Sequence, residues 1–172
     1  MMMKMLEAGG LEPLTDGIRA ADEDNPKGYY EYERVKQVED DKEWLEYARG
    51  KAVKMIAALL KHLPQEYRYE VVFMRRDLWE VLASQRRMLI RRGESSETVP
   101  DERMAELFRR HVEQVDAWIT TQPNMTVLYV DHAHVLENPA QQAQRVGEFL
   151  SCSLDVAAMA AVVDRSLYRQ RK

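Results

Sequence analysis

Two short stretches constrain this chain more than anything else in it. YEVVFM (69–74) and TVLYV (126–130) are β-branched, aromatic and apolar on both alternating faces, which is the composition of a strand buried from both sides. Such strands need cover above and below, and the segments around them have the period to supply it. Behind Asp77, the residues Leu78, Val81, Leu82, Met88 and Leu89 recur at helical spacing, with Glu80 completing a capping-box-like pair and Gly93 as the stop. After Pro100 a longer stripe runs through Met104, Leu107, Phe108, Val112, Val115, Trp118 and Ile119. Asn138-Pro139 opens a helix carrying Ala143, Val146, Phe149 and Leu150, and Asp155 opens a last one through Val163. Strands alternating with helices predict an α/β layered fold with a mostly parallel sheet. At 172 residues and 45% hydrophobic, one core suffices, so a single domain over 1–172 is expected.

The amino-terminal third is less regular. In MMMKMLEAGG, Met2, Met5 and Leu6 share a helical face and Gly9-Gly10 ends it, but no capping residue precedes the first turn. The stretch reads as a helix entered from something upstream. An acidic loop punctuated by Asn25-Pro26 and Gly28 follows, then a short helix over 34–48 with Val35, Val38, Trp44, Leu45 and Ala48 apolar. KAVKMI is a brief strand candidate and AALLKHLP a one- to two-turn helix closed by Pro64. No apolar run approaches the roughly 20 residues of a membrane span, so a cytoplasmic location without membrane contact is expected. Cys152 is the only cysteine, forms no internal disulfide and reads as a small buried apolar side chain. Most of the ten methionines read as core filler.

Charge is unevenly distributed. Residues 1–50 carry seven Lys+Arg against thirteen Asp+Glu, whereas residues 51–92 carry ten against four, a difference of +6 in the middle segment. That segment suits an anion. An acidic whole without interleaved aromatics argues for a small phosphorylated ligand and against nucleic acid. The sharpest constellation is VVFMRRDLWEVLAS, a buried strand, two arginines at its carboxyl end and a helix start. Ligands of open parallel sheets sit beyond the carboxyl ends of strands, so Arg75 and Arg76 stand where a phosphate would be held, with Ser84 on nearly the same helix face as Asp77. The plainer alternative is that these arginines pair with Asp77, Glu80 or other acids. Asp131, His132 and His134 follow the second strand, but two histidines without third and fourth ligands do not make a metal centre, and none is assigned. The basic tail SLYRQRK reaches a phosphate or frays.

These residues carry a resemblance. FMRRDLWEVLASQRRMLIRRG resembles the segment of the PAPS-dependent sulfotransferase family in which an arginine and a serine eight residues later hold the 3′-phosphate of 3′-phosphoadenosine 5′-phosphosulfate (PAPS), and Arg76 and Ser84 have that spacing. DNPKGYYE resembles the loop after the first helix in many bacterial members, and HVLENPAQQAQRVGEFL is similar to the family's carboxyl-terminal pattern, so the resemblance runs from about residue 1 to 171.

The resemblance implies a three-layer P-loop-type parallel sheet flanked by helices, with PAPS as sulfuryl donor, no metal, and a small-molecule, glycan or peptide acceptor bearing a hydroxyl or amine. It also implies that the first helix follows a strand and a phosphosulfate-binding loop, so the chain is expected to be an amino-terminally truncated, impaired form. The acceptor-side histidine of cytosolic members is absent, Ile56 standing in its place, while Lys54 matches. Glu31 in GYYEYE is the matching base used by other branches, with Glu33 behind it. Beside these catalytic assignments stand plainer ones, Glu31 as a solvated carboxylate and Lys54 as a structural ion-pair partner. A non-catalytic remnant or nucleotide-binding regulatory module and a P-loop nucleotide kinase are the alternative functions. In the family arrangement the missing first strand lies between the two strong strands, so 70–74 and 126–130 are expected to be parallel but separated by a gap, leaving the chain poorly stable or self-associated.

Overall fold

The computed structural model describes residues 1–18, 28–91, 93 and 100–164. Asn25-Pro26 of the acidic loop and the basic tail lie outside them. Helix α1 (Met2–Ala8) ends as its glycines require. Gly10 takes φ +97°, its N–H bonds the Glu7 carbonyl at 3.0 Å, and the Leu11 N–H bonds the Leu6 carbonyl at 2.9 Å. These two bonds satisfy carbonyls that the last turn leaves open. Gly9 stays right-handed, with φ −74°.

Strand β1 (Tyr69–Arg75) pairs in parallel with strand β2 (Met125–Asp131), in register from Tyr69↔Met125 to Arg75↔Asp131. The expected gap is therefore absent, and the two strands are direct neighbours. The physical reason is the one that made a gap costly: with no third strand among the described residues, the facing N–H and C=O groups satisfy one another.

Both faces of the pair are covered, as the apolar composition demands. Val72, Met74, Leu128 and Val130 pack into a cluster with Met2, Met5 and Leu6 of α1, Val135 of α5 (His132–Glu137), Ala143 and Val146 of α6 (Pro139–Phe149) and Met159 of α7 (Val156–Ala161). Tyr69, Val71, Phe73, Met125 and Val127 pack instead with Leu60, Val115 and Ile119. Leu60 belongs to a 3₁₀ turn (Ala57–His62), while Val115 and Ile119 belong to the long helix (Asp101–Ile119) after Pro100.

The single helix expected over 34–48 is instead a 3₁₀ turn (Glu33–Gln37) and helix α2 (Leu45–Ala48). Trp44 sits at the junction, fully buried, its indole N–H donating to the Asp41 carbonyl at 3.0 Å. That bond and the paired Arg34 and Asp41 side chains, at 2.6 and 2.7 Å, hold a turn that a continuous helix would erase. KAVKMI is not a strand either. It makes one parallel bridge, Pro13↔Ala52, flanked by Leu14 N–H to Ala52 and Ala52 N–H to Glu12, both 2.9 Å. The ladder stops there because the chain turns to bond Glu31: the Thr15 hydroxyl and Asp16 N–H both donate to its carbonyl.

The carboxyl-terminal elements follow their capping residues. Pro139 is the first residue of α6, and Asp155 accepts from the Ala158 N–H at 2.9 Å, although α7 ends at Ala161, short of Val163. Cys152 is exposed, not buried. It lies in the bend after α6, where Leu150 turns into the core and the Ser151 N–H and hydroxyl are drawn to the Glu70 carboxylate. Among the described residues no helix is long and apolar enough to cross a membrane.

Candidate functional site

Two residues separate the end of β1 from helix α3 (Leu78–Arg91), and Asp77 caps it, its Oδ1 accepting from the N–H groups of Trp79 at 2.9 Å and Glu80 at 3.3 Å. This start turns Glu80 back onto the strand end. Its Oε2 receives the Arg76 Nε–H at 3.0 Å, with Arg76 31% and Glu80 10% exposed. Arg75, pointing the other way, donates to Asp116 at 2.7 Å and lies 3.9 Å over the Tyr129 ring. Asp116 reaches it from helix α4 (Asp101–Ile119). Burial, then the Asp116 charge, pushes the Tyr129 phenol up. Ser84 is exposed on α3, and no hydrogen bond joins it to Arg76 among the described residues. At the strand end each arginine thus faces a carboxylate.

A second group forms where the amino-terminal segments meet. In the extended stretch 52–56, Val53 and Met55 turn inward while Lys54 and Ile56 are exposed, the alternation of a strand without its ladder. Lys54 Nζ donates to Glu31 Oε1 at 3.2 Å and lies 5.8 Å over the Tyr29 ring. The Glu31 backbone is pinned as well, its carbonyl accepting from Thr15 Oγ1 at 3.0 Å and Asp16 N–H at 3.2 Å. Asp16 Oδ2 in turn accepts from the Glu33 N–H at 2.6 Å. Neighbouring Tyr30 donates to Glu7 of α1, and burial together with that carboxylate pushes its phenol up to about 12. Glu31 and Lys54, 23 positions apart in the chain, are thereby held side by side, which spacing alone cannot reveal.

At the end of β2 the two histidines part. His134 Nδ1 stands 3.4 Å from Asp131 Oδ2 within the first turn of α5, because the chain is helical from His132 onward and residues two apart no longer share a side. His132 instead feels Arg76, Glu80 and the α-amino group of Met1, and burial foremost holds its imidazole below the ordinary value. This neighbourhood was not legible in the sequence. The signal that would find it is the equal distance of Arg76 and His132 past their strands. No group of three or more His, Cys, Asp or Glu able to hold a metal occurs among the described residues.

The excess of positive charge over 51–92 is met by acids from the flanks. Lys51 pairs with Glu12, Lys54 with Glu31, Arg75 with Asp116, and Arg86 with Asp101. Comparison of the chain with protein-family models, with curated proteins and with solved structures gives no match.

Proposed function

We propose that this chain is a sulfotransferase-type α/β domain, three-layered around its parallel strands and P-loop-like in kind, whose reaction moves a sulfuryl group from PAPS to a hydroxyl or amine acceptor. The observation that carries the reading is the pairing of Glu31 with Lys54, the carboxylate that the resemblance implies as base for the acceptor and the cation it implies for the bridging oxygen. In such a reaction Glu31 takes the acceptor proton as its oxygen or nitrogen bonds sulfur. The bond from sulfur to the phosphate oxygen breaks, and Lys54 stabilises the charge left on that oxygen. Arg76, at the carboxyl end of a parallel strand, is the residue for the donor's 3′-phosphate, and it must exchange Glu80 for that group to do so.

The rival is a non-catalytic module, favoured by the pairing of both strand-end arginines with carboxylates. Calorimetry tests the donor site on which the first reading depends. Adenosine 3′,5′-bisphosphate should bind more tightly than adenosine 5′-monophosphate, and Arg76→Ala should remove the difference. Equal affinities, or a preference that survives Arg76→Ala, would sink the donor-site reading.

A further inference from the structure

We propose that Arg76 and His132 form a two-point site for a doubly charged tetrahedral oxyanion at the carboxyl end of the strand pair, and that the Glu80 carboxylate is the resident group which such an anion replaces. The Arg76 half rests on the reading above, while the His132 half comes from the register of the strands. Arg75↔Asp131 is the last pair of that register, and Asp131 is still extended at φ −81°, ψ 130°. Arg76 and His132 are therefore the next residues on adjacent chains, with backbones roughly 5 Å apart. Two positions back, Met74 and Val130 lie on the face that α1 covers, and alternation carries Arg76 and His132 to that same side.

The charges that act on His132 come from three elements: Arg76 just past β1, Glu80 from α3 and the α-amino group of Met1 before α1. Asp131 and His134, on its own segment, face each other. One guanidinium and a neighbouring imidazole thus share a carboxylate that is only 10% exposed. That carboxylate bears a single charge and is tethered to α3. A free sulfate ion, or a phosphate monoester, bears about two charges and presents more acceptor oxygens to the guanidinium fork and to an imidazolium N–H. Its arrival favours protonation of His132, so binding tightens as pH falls.

Sulfate is the probe, because it stays doubly charged from about pH 5 to 8, where phosphate monoesters titrate. The wild-type chain is followed by proton NMR of its histidines, the His132 signal being the one missing from His132→Gln, with sodium chloride at equal ionic strength as control. Sulfate should raise the His132 titration midpoint by about one unit, which corresponds to about tenfold tighter sulfate binding on the acid side than on the alkaline side. Arg76→Ala should abolish the shift, and Glu80→Gln should tighten sulfate binding at every pH. A His132 midpoint that sulfate leaves unmoved, or a shift that persists in Arg76→Ala, overturns the site. Because sulfate carries no nucleoside, a positive result with equal binding of the two adenosine nucleotides removes the donor reading and keeps the site. The reverse result removes the site and keeps the reading.

Discussion

Gly9 lies so close to Met159 that a Cβ on the glycine would stand 2.6 Å from Met159 Cγ and 3.0 Å from its sulfur. Met159 is fully buried in the cluster that joins α1 and α7 to the strands, and the Asp155 N–H bonds the Gly9 carbonyl at 3.0 Å. The absence of a side chain at one position is thus what lets the first and last described helices pack on one face.

Gly9→Ala should destabilise the protein by about 1–3 kcal/mol through overpacking, since its right-handed backbone itself accepts alanine. Gly10→Ala should also destabilise, by about 1–2 kcal/mol, but for backbone reasons: Gly10 has φ +97°, and a methyl group there would meet nothing within 4 Å. Urea titrations read both. The two are told apart by Met159→Ala, which should soften the effect of Gly9→Ala and leave that of Gly10→Ala additive.

Trp44→Ala should remove about 3–5 kcal/mol of stability. The ring is fully buried, edge-on to Tyr32 with centroids 5.8 Å apart, and its N–H holds the Asp41 carbonyl. Equilibrium unfolding with Trp44→Phe as reference checks it. Phe keeps most of the packing and should lose clearly less than Ala.

Asp16 accepts backbone N–H bonds from Glu33 and Ile18, and these hold its carboxyl below the ordinary 3.8. A group whose folded value is depressed contributes stability that is present above the unfolded value and lost as pH falls through the folded one. Below about pH 4, therefore, the clasp between residues 15–18 and 31–33 should weaken progressively. Melting temperature measured against pH should fall less steeply in that range for Asp16→Ala than for the wild type. Parallel curves would show that Asp16 carries none of the acid sensitivity.

Glu31 and Lys54 are 21% and 44% exposed, so their mutual contribution to stability should be small, about 0.2–1 kcal/mol in a double-mutant cycle with Glu31→Gln and Lys54→Met. Glu31→Gln should also leave the affinity for adenosine 3′,5′-bisphosphate unchanged, as expected of a group that faces the acceptor. A loss of nucleotide affinity comparable to that of Arg76→Ala would move Glu31 from the acceptor side to the donor side.

What the sequence determined by itself is what is decided within a turn or two of chain. The stop at Gly9-Gly10, the Asp77 and Asp155 caps, the start at Pro139 and the two strands apolar on both faces all follow from backbone geometry and side-chain period. The helix expected over 34–48 failed where a longer reach intervened, because Arg34 crosses to Asp41 and Trp44 turns back onto the Asp41 carbonyl. Only the tertiary structure decided that β1 and β2 are direct neighbours, since either strand presents the same donors and acceptors to any partner. Arg76 and Glu80, four positions apart, were within reach of the sequence, but the tertiary structure alone set the distant pairings, Asp116 for Arg75 and Glu31 for Lys54. Beyond a turn of helix a salt bridge has no sequence distance to mark it, so these distant pairings are settled by the packing of the elements that carry them.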